Sequence, residues 1–189
     1  MDNNIIKGLR SEYFMTLTKL KKLRLNDNKI ETIFSTCDGC FGDYSFPGDV
    51  FQNNVELTEL FLNNNEITEL TADHFSSLVK LRDLRLQNNK LTEIPFDLFR
   101  NNVKLYNLDL NTNQILRLHS DTFSSNINLY ELDLSNNRIT YLEPTIFSSL
   151  TKLGKLNLMS NGLENIPGEL FQNNFELNLC QFLIIEFHL

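Results

Sequence analysis

The residues best suited to do chemistry in this chain are oxygen donors set at a fixed interval. Asp109, Asp133 and Asn157 follow one another at 24-residue steps, and Glu131 stands two residues before Asp133. If that interval places them on neighbouring strands, Asp109 and Asp133 come about 5 Å apart, the separation used by a retaining glycosidase. Such an enzyme also holds one carboxyl protonated in a pocket that excludes water. An open sheet offers no such pocket, so no catalysis is expected. Calcium on Asp109, Glu131, Asp133 and Asn157 is the second chemistry these oxygens could support. It is the lesser reading, and neither a metal nor a cofactor is assigned.

Sulfur and imidazole give less. Cys37-Asp-Gly-Cys40 forms a lone CxxC, with Cys180 far from it. A zinc site needs four ligands, and neither a second cysteine pair nor a nearby histidine is present. Three readings stay open: plain thiols or a disulfide within the loop, pairing with a group outside this chain, or a metal. His74, His119 and His188 fall at different points of the repeat and share no face.

The interval itself is the dominant signal. From Leu57 to Glu176 one 24-residue pattern is written five times, beginning at Leu57, Leu81, Leu105, Leu129 and Leu153. Fixed self-similarity at such a period means a solenoid, in which each unit packs only on its neighbours. With the first leucine as repeat position 0, apolar residues recur at 0, 3, 5, 10, 13 and 18, as in Leu129, Leu132, Leu134, Ile139, Leu142 and Phe147. Polar and apolar residues alternate over Tyr130–Ser135, which predicts one short strand per repeat with a single buried face. Successive strands must then run parallel, and the chain winds as a right-handed coil.

Repeat position 8 is asparagine throughout: Asn28, Asn65, Asn89, Asn113, Asn137 and Asn161. A short amide there can serve both the N–H and the C=O groups that turn inward after the strand, so these residues are expected to stack as a ladder. The phenylalanines at position 18 (Phe75, Phe99, Phe123, Phe147 and Phe171) should fill the opposite side of each turn.

The whole chain is read as one repeat domain. Residues 1–19 form a partial repeat in the same phase, with Asn4, Ile6, Leu9 and Phe14 at positions 8, 10, 13 and 18, so the chain reads as a piece of a longer one. The next unit, 20–56, is 13 residues longer than the rest, and Gly39, Gly42, Pro47 and Gly48 mark the excess as irregular loop. Five regular units follow, 57–80, 81–104, 105–128, 129–152 and 153–176. The end, 177–189, is degenerate: Leu177, Cys180 and Phe182 keep positions 0, 3 and 5, but Ile185 replaces the ladder asparagine. Leu179 and Leu183 would then point outward and make a sticky edge.

Net charge is −7, from 24 acidic and 17 basic residues. That balance disfavours nucleic acid, whose phosphates call for a basic surface. The opening residues lack the apolar core of a signal peptide, and no run reaches the roughly 20 apolar residues of a membrane span.

The motif carried by Leu81, Leu84, Leu86, Asn89, Leu91, Ile94, Pro95 and Phe99 resembles the leucine-rich repeat superfamily, in its 24-residue typical class. The resemblance implies an α/β-type solenoid, a right-handed horseshoe with short parallel strands on its concave face and a mostly irregular convex side. The chain is similar to Toll-type receptors, Slit-like proteins and adhesion ectodomains, which implies protein recognition outside the cell or at its surface. An intracellular scaffolding or regulatory role is the alternative.

A partner would meet the concave sheet at repeat positions 2, 4 and 6. Arg24, Phe61, Arg85, Asp109 and Asp133 fall at position 4, and Glu131 at position 2, with basic residues in the first strands and acidic ones in the middle. Phe61 is expected to be an exposed anchor between Arg24 and Arg85, with Tyr106 and Tyr130 bordering the acidic patch. Aromatics and arginines are the types that usually carry binding energy. Arg85 is expected to pair with Asp109 across the strands.

Overall fold

The computed structural model describes residues 3–34, 50–177 and 183–184. Expectations for Cys37, Cys40, Leu179, Cys180, Phe182, Ile185, His188 and the loop between Phe34 and Val50 lie outside the described residues.

The alternating segments form three-residue strands, each burying its central leucine. In chain order the strands are β1 (Gly8–Arg10), β2 (Lys22–Arg24), β3 (Thr32–Phe34), β4 (Glu59–Phe61), β5 (Asp83–Arg85), β6 (Asn107–Asp109), β7 (Glu131–Asp133), β8 (Lys155–Asn157) and β9 (Leu183–Ile184). Seven make one parallel sheet in the order β2-β4-β5-β6-β7-β8-β9, and β1 pairs with β3 apart from it. The chain is a parallel-sheet solenoid. Its returning segments are turns rather than helices; the described residues contain a single 3-10 turn, Ser11–Tyr13.

Register follows the repeat. Leu84 faces Leu108 and Leu108 faces Leu132, 24 residues apart each time. The pairing of Leu23 with Leu60 absorbs the longer second unit without a slip. The last pairing departs from expectation: Leu156 faces Leu183, where strict spacing puts Cys180. Leu183 thus takes the register of an inward position instead of the outward one assigned to it. Register is held by the contrast between apolar and polar faces. That contrast is missing here, since Phe182, Leu183, Ile184 and Ile185 are apolar without a break.

The ladder asparagines do what their position requires. In Asn113, Nδ2 donates to the carbonyls of Leu86 and Leu110, and Oδ1 accepts the Leu91 N–H. Asn65, Asn89, Asn137 and Asn161 repeat the arrangement one unit at a time. On the far side Phe99, Phe123, Phe147 and Phe171 stack with centroids 6.2–6.3 Å apart.

Three structural devices go beyond what the spacing predicts. Repeat position 7, directly before each ladder asparagine, is left-handed at Asp27, Asn64, Asn88, Thr112, Asn136 and Ser160, with φ between 51° and 57°. Its Asn and Asp content is the signal in the sequence. A second amide column lies at position 21, where Asn102 and Asn126 each donate to two carbonyls of the preceding unit. His74, which shares no face with the other histidines, is buried and ties two units together: Nδ1 accepts the Thr71 N–H and Nε2 meets the Ile33 carbonyl at 2.9 Å.

Candidate functional site

The face of the sheet turned away from the core carries or borders every residue singled out for binding. Position 4 places Arg24, Phe61, Arg85, Asp109 and Asp133 in one row, since Arg24 faces Phe61, Phe61 faces Arg85, Arg85 faces Asp109 and Asp109 faces Asp133. Tyr106 and Tyr130, one residue ahead of strands β6 and β7, stack with ring centroids 5.1 Å apart and planes 10° from parallel.

Phe61 is not the exposed anchor expected of it. The residue is only 8% exposed, although it lies on the open side of the sheet. Cations cover it: the Arg85 guanidinium carbon is 4.6 Å from the ring centroid, Lys22 Nζ 5.0 Å and the Arg24 guanidinium carbon 5.6 Å. Cations over an aromatic face are attracted by its quadrupole, so Phe61 holds Arg24 and Arg85 in place and they form the surface. Arg85 also departs from its expected pairing. It bonds Asp83 on its own strand, at 3.3 and 3.4 Å, rather than Asp109. The fork of Arg85 reaches Asp83 while its guanidinium stays over Phe61.

The two aspartates also serve their own backbone. Asp109 Oδ1 accepts the Asn111 N–H and the Asn111 side-chain amide. Asp133 Oδ1 accepts the Ser135 N–H and hydroxyl, and Asn157 Oδ1 accepts the Met159 N–H. Each caps the strand end two residues on, a local bond typical of Asp and Asn. Burial pushes the Asp109 carboxyl up to about 6, and the Asp133 charge adds to it, while hydrogen bonds from Asn111 and the Arg85 charge act against the rise. Glu131 pairs with Lys155 across the strands at 3.6 Å, and Asn157 Nδ2 donates to Asp133 Oδ2. Among the described residues no three His, Cys, Asp or Glu side chains converge as a metal site requires.

The outcome is a shallow hollow of about 240 Å³ lined by Asp83, Arg85, Asn107, Asp109, Glu131 and Asp133. Beside it, Tyr130 lies over Gly154, where a Cβ would come within 2.2 Å of Tyr130 Cε2. Gly154 is therefore part of the tyrosine platform, a role its sequence position does not reveal.

The profile of the family described as the BspA type leucine rich repeat region matches residues 44–178, in six copies. The chain belongs to this BspA-type leucine-rich repeat family. Its repeats resemble solved structures of the same architecture. Toll in the Toll–Spatzle complex of Drosophila superposes with a TM-score of 0.75 at 24% identity, over 97% of this chain and 26% of that one. The APL1 leucine-rich repeat domain gives 0.74 at 26% identity, over 87% and 39%. The protein of the TLR13–ssRNA13 complex gives 0.66 at 24% identity, over 97% and 28%. The BspA-type chain thus spans between a quarter and two fifths of these structures' lengths. No curated protein matches it. No helix among the described residues is long and apolar enough to cross a membrane.

Proposed function

We propose that this chain is a non-catalytic recognition module, belonging to a receptor, immune or adhesion protein outside the cell or at its surface, and that it binds a protein partner on the open face of its sheet. The observation that carries the reading is the adjacency of two opposite charge fields, Arg24 and Arg85 held over Phe61 and the carboxylates of Asp109, Glu131 and Asp133, with the Tyr106–Tyr130 stack at their border. Side-by-side fields of opposite sign select a partner with the complementary pattern. The carboxylates oppose a phosphate backbone on this face. Toll, which shares the fold, is in complex with Spatzle, and this supports a protein as the partner. The resemblance to Toll-type receptors and adhesion ectodomains supports the setting.

A photo-crosslinker placed at Tyr106 tests the reading. A partner should be captured from the extracellular medium, and Arg85→Ala and Glu131→Ala should each weaken it by more than about 1 kcal/mol. Capture of a cytosolic protein alone would move the chain to the intracellular scaffolding class. A partner indifferent to both substitutions would remove the open face from consideration.

A further inference from the structure

A second surface runs along the flank on which the chain enters each strand. Repeat position 22 is apolar at Val55, Val79, Val103, Ile127 and Phe175, and all five are more than 40% exposed. From Val55 to Ile127 every repeat contributes, so these four form an unbroken stripe; Thr151 interrupts it before Phe175. Beside them, positions 23 and 1 supply Lys19, Lys21, Lys80, Arg82, Lys104 and Lys152, against the acids Glu56 and Glu176. In a chain of net charge −7, this strip is basic. Lys80 is bonded to Glu56 at 2.6 Å, while Lys21, Arg82 and Lys104 have no ion-pair partner among the described residues. On the other side of the stripe, positions 19 and 20 are Ser, Asn and Gln from unit 57–80 onward, except for Arg100.

We propose that this flank docks an acidic amphipathic α-helix of a protein partner, lying along the solenoid axis with its apolar residues on the stripe and its carboxylates over the lysines. Spacing selects a helix. The stripe lies between the tyrosine stack, stepped at 5.1 Å, and the phenylalanine column, stepped at 6.3 Å, and a helix returns to the same face about every 5.4 Å. An amphipathic helix laid on a complementary surface reads as anchors one turn apart. Charge selects its sign, because the cations beside the stripe are concentrated at positions 23 and 1; on the other side stands Arg100, which is paired with Asp97 at 3.9 Å. This surface adjoins the open face along position 1, where Arg82 lines a hollow with Tyr106 and Asp83, but its apolar stripe uses no residue of that face.

The probe is a fluorescein-labelled 18-residue helical peptide with Leu once per turn and Glu along one side, titrated onto the whole chain and followed by anisotropy. Binding should be at least tenfold tighter than for the same peptide with Leu replaced by Ser or Glu replaced by Lys, and should weaken with salt. Val103→Ser with Ile127→Ser, and separately Lys104→Glu, should each cost tenfold or more. Because these side chains are exposed, the variants should keep the parent's circular dichroism; Val79→Ser serves if one does not. Glu131→Gln, on the open face, should leave the affinity unchanged. Absence of binding, equal binding of the control peptides, tighter binding of an 18-nucleotide single-stranded RNA, or sensitivity to Glu131→Gln alone would each overturn the proposal.

Discussion

Tyr130 occupies the volume that a side chain at residue 154 would need: a Cβ on Gly154 would stand 2.2 Å from Tyr130 Cε2. The glycine is thus required by a ring and not by its own backbone. Gly154→Ala should expel Tyr130 from its place and separate it from Tyr106. Near-ultraviolet circular dichroism should report the lost stack, while stability changes by less than about 1 kcal/mol, since the ring is at the surface.

The two amide columns should respond differently to substitution. Asn113→Ala leaves the Leu91 N–H without its partner inside the coil. The Leu86 and Leu110 carbonyls lose one bond each and keep those from Asn89 and Asn137. At about 1–3 kcal/mol for a buried unsatisfied group and about 1 kcal/mol for each further bond, a loss of at least about 2 kcal/mol is expected in urea unfolding. Asn126→Leu should cost less than about 1 kcal/mol. Leu78 and Leu150 already hold that repeat position, and the carbonyls that Asn126 serves also accept the Asn102 and Leu105 N–H groups.

Thr112 is a β-branched residue with φ of 51°, a conformation that Asn tolerates better. Thr112→Asn should raise stability by about 0.5–1 kcal/mol, read as a higher Tm. An unchanged or lower Tm would show that the Thr112 hydroxyl bond to Asn111 outweighs the strain.

Asp109 should make the chain more stable in mild acid. Its carboxyl, ordinarily at 3.8, is raised to about 6 by burial, so between about pH 4 and 6 the folded state binds more protons than the unfolded one. Stability then falls as pH rises through that window, and the penalty is complete above it. Solvent screening at this half-buried site keeps the effect on the order of 1 kcal/mol. Asp109→Asn should flatten the profile of urea midpoint against pH, with the strand cap retained as it is at Asn157.

The scaffold is legible in the sequence because its residues recur. Leu84, Asn89 and Phe99 each face one environment, and a column of identical residues states that environment directly. The face that varies between repeats is only half legible. Alternation places Phe61 outward, but it does not say that Lys22, Arg24 and Arg85 will fold over the ring. It places Asp109 and Asp133 outward as well, without showing that each is bound to its own backbone. Long side chains choose among several neighbours by distances that no spacing encodes. The role of His74 is hidden for a related reason, since its partner, the Ile33 carbonyl, is 41 residues away. The apolar stripe from Val55 to Ile127 is present in the letters and emerges once they are read down a column.

Between repeats, the bonds of the asparagine ladder all point one way. Asn113 serves Leu86 and Leu91, and Asn137 serves Leu110 and Ile115, always in the unit before. Every repeat completes the backbone of its predecessor and depends on its successor to complete its own. Within the ladder the two ends are therefore not equivalent. Peeling a unit from the trailing end strips a main-chain N–H, such as that of Ile115, of its partner in the unit left behind. Peeling from the leading end frees the amide side chains of the ladder, and it also strips main-chain N–H groups such as those of Tyr106 and Gln114 of their partners, the Arg82 and Leu91 carbonyls. The ladder has a grain, whereas the main-chain bonds between units run both ways, from the Leu86 N–H forward to Asp109 and from the Tyr106 N–H back to Arg82.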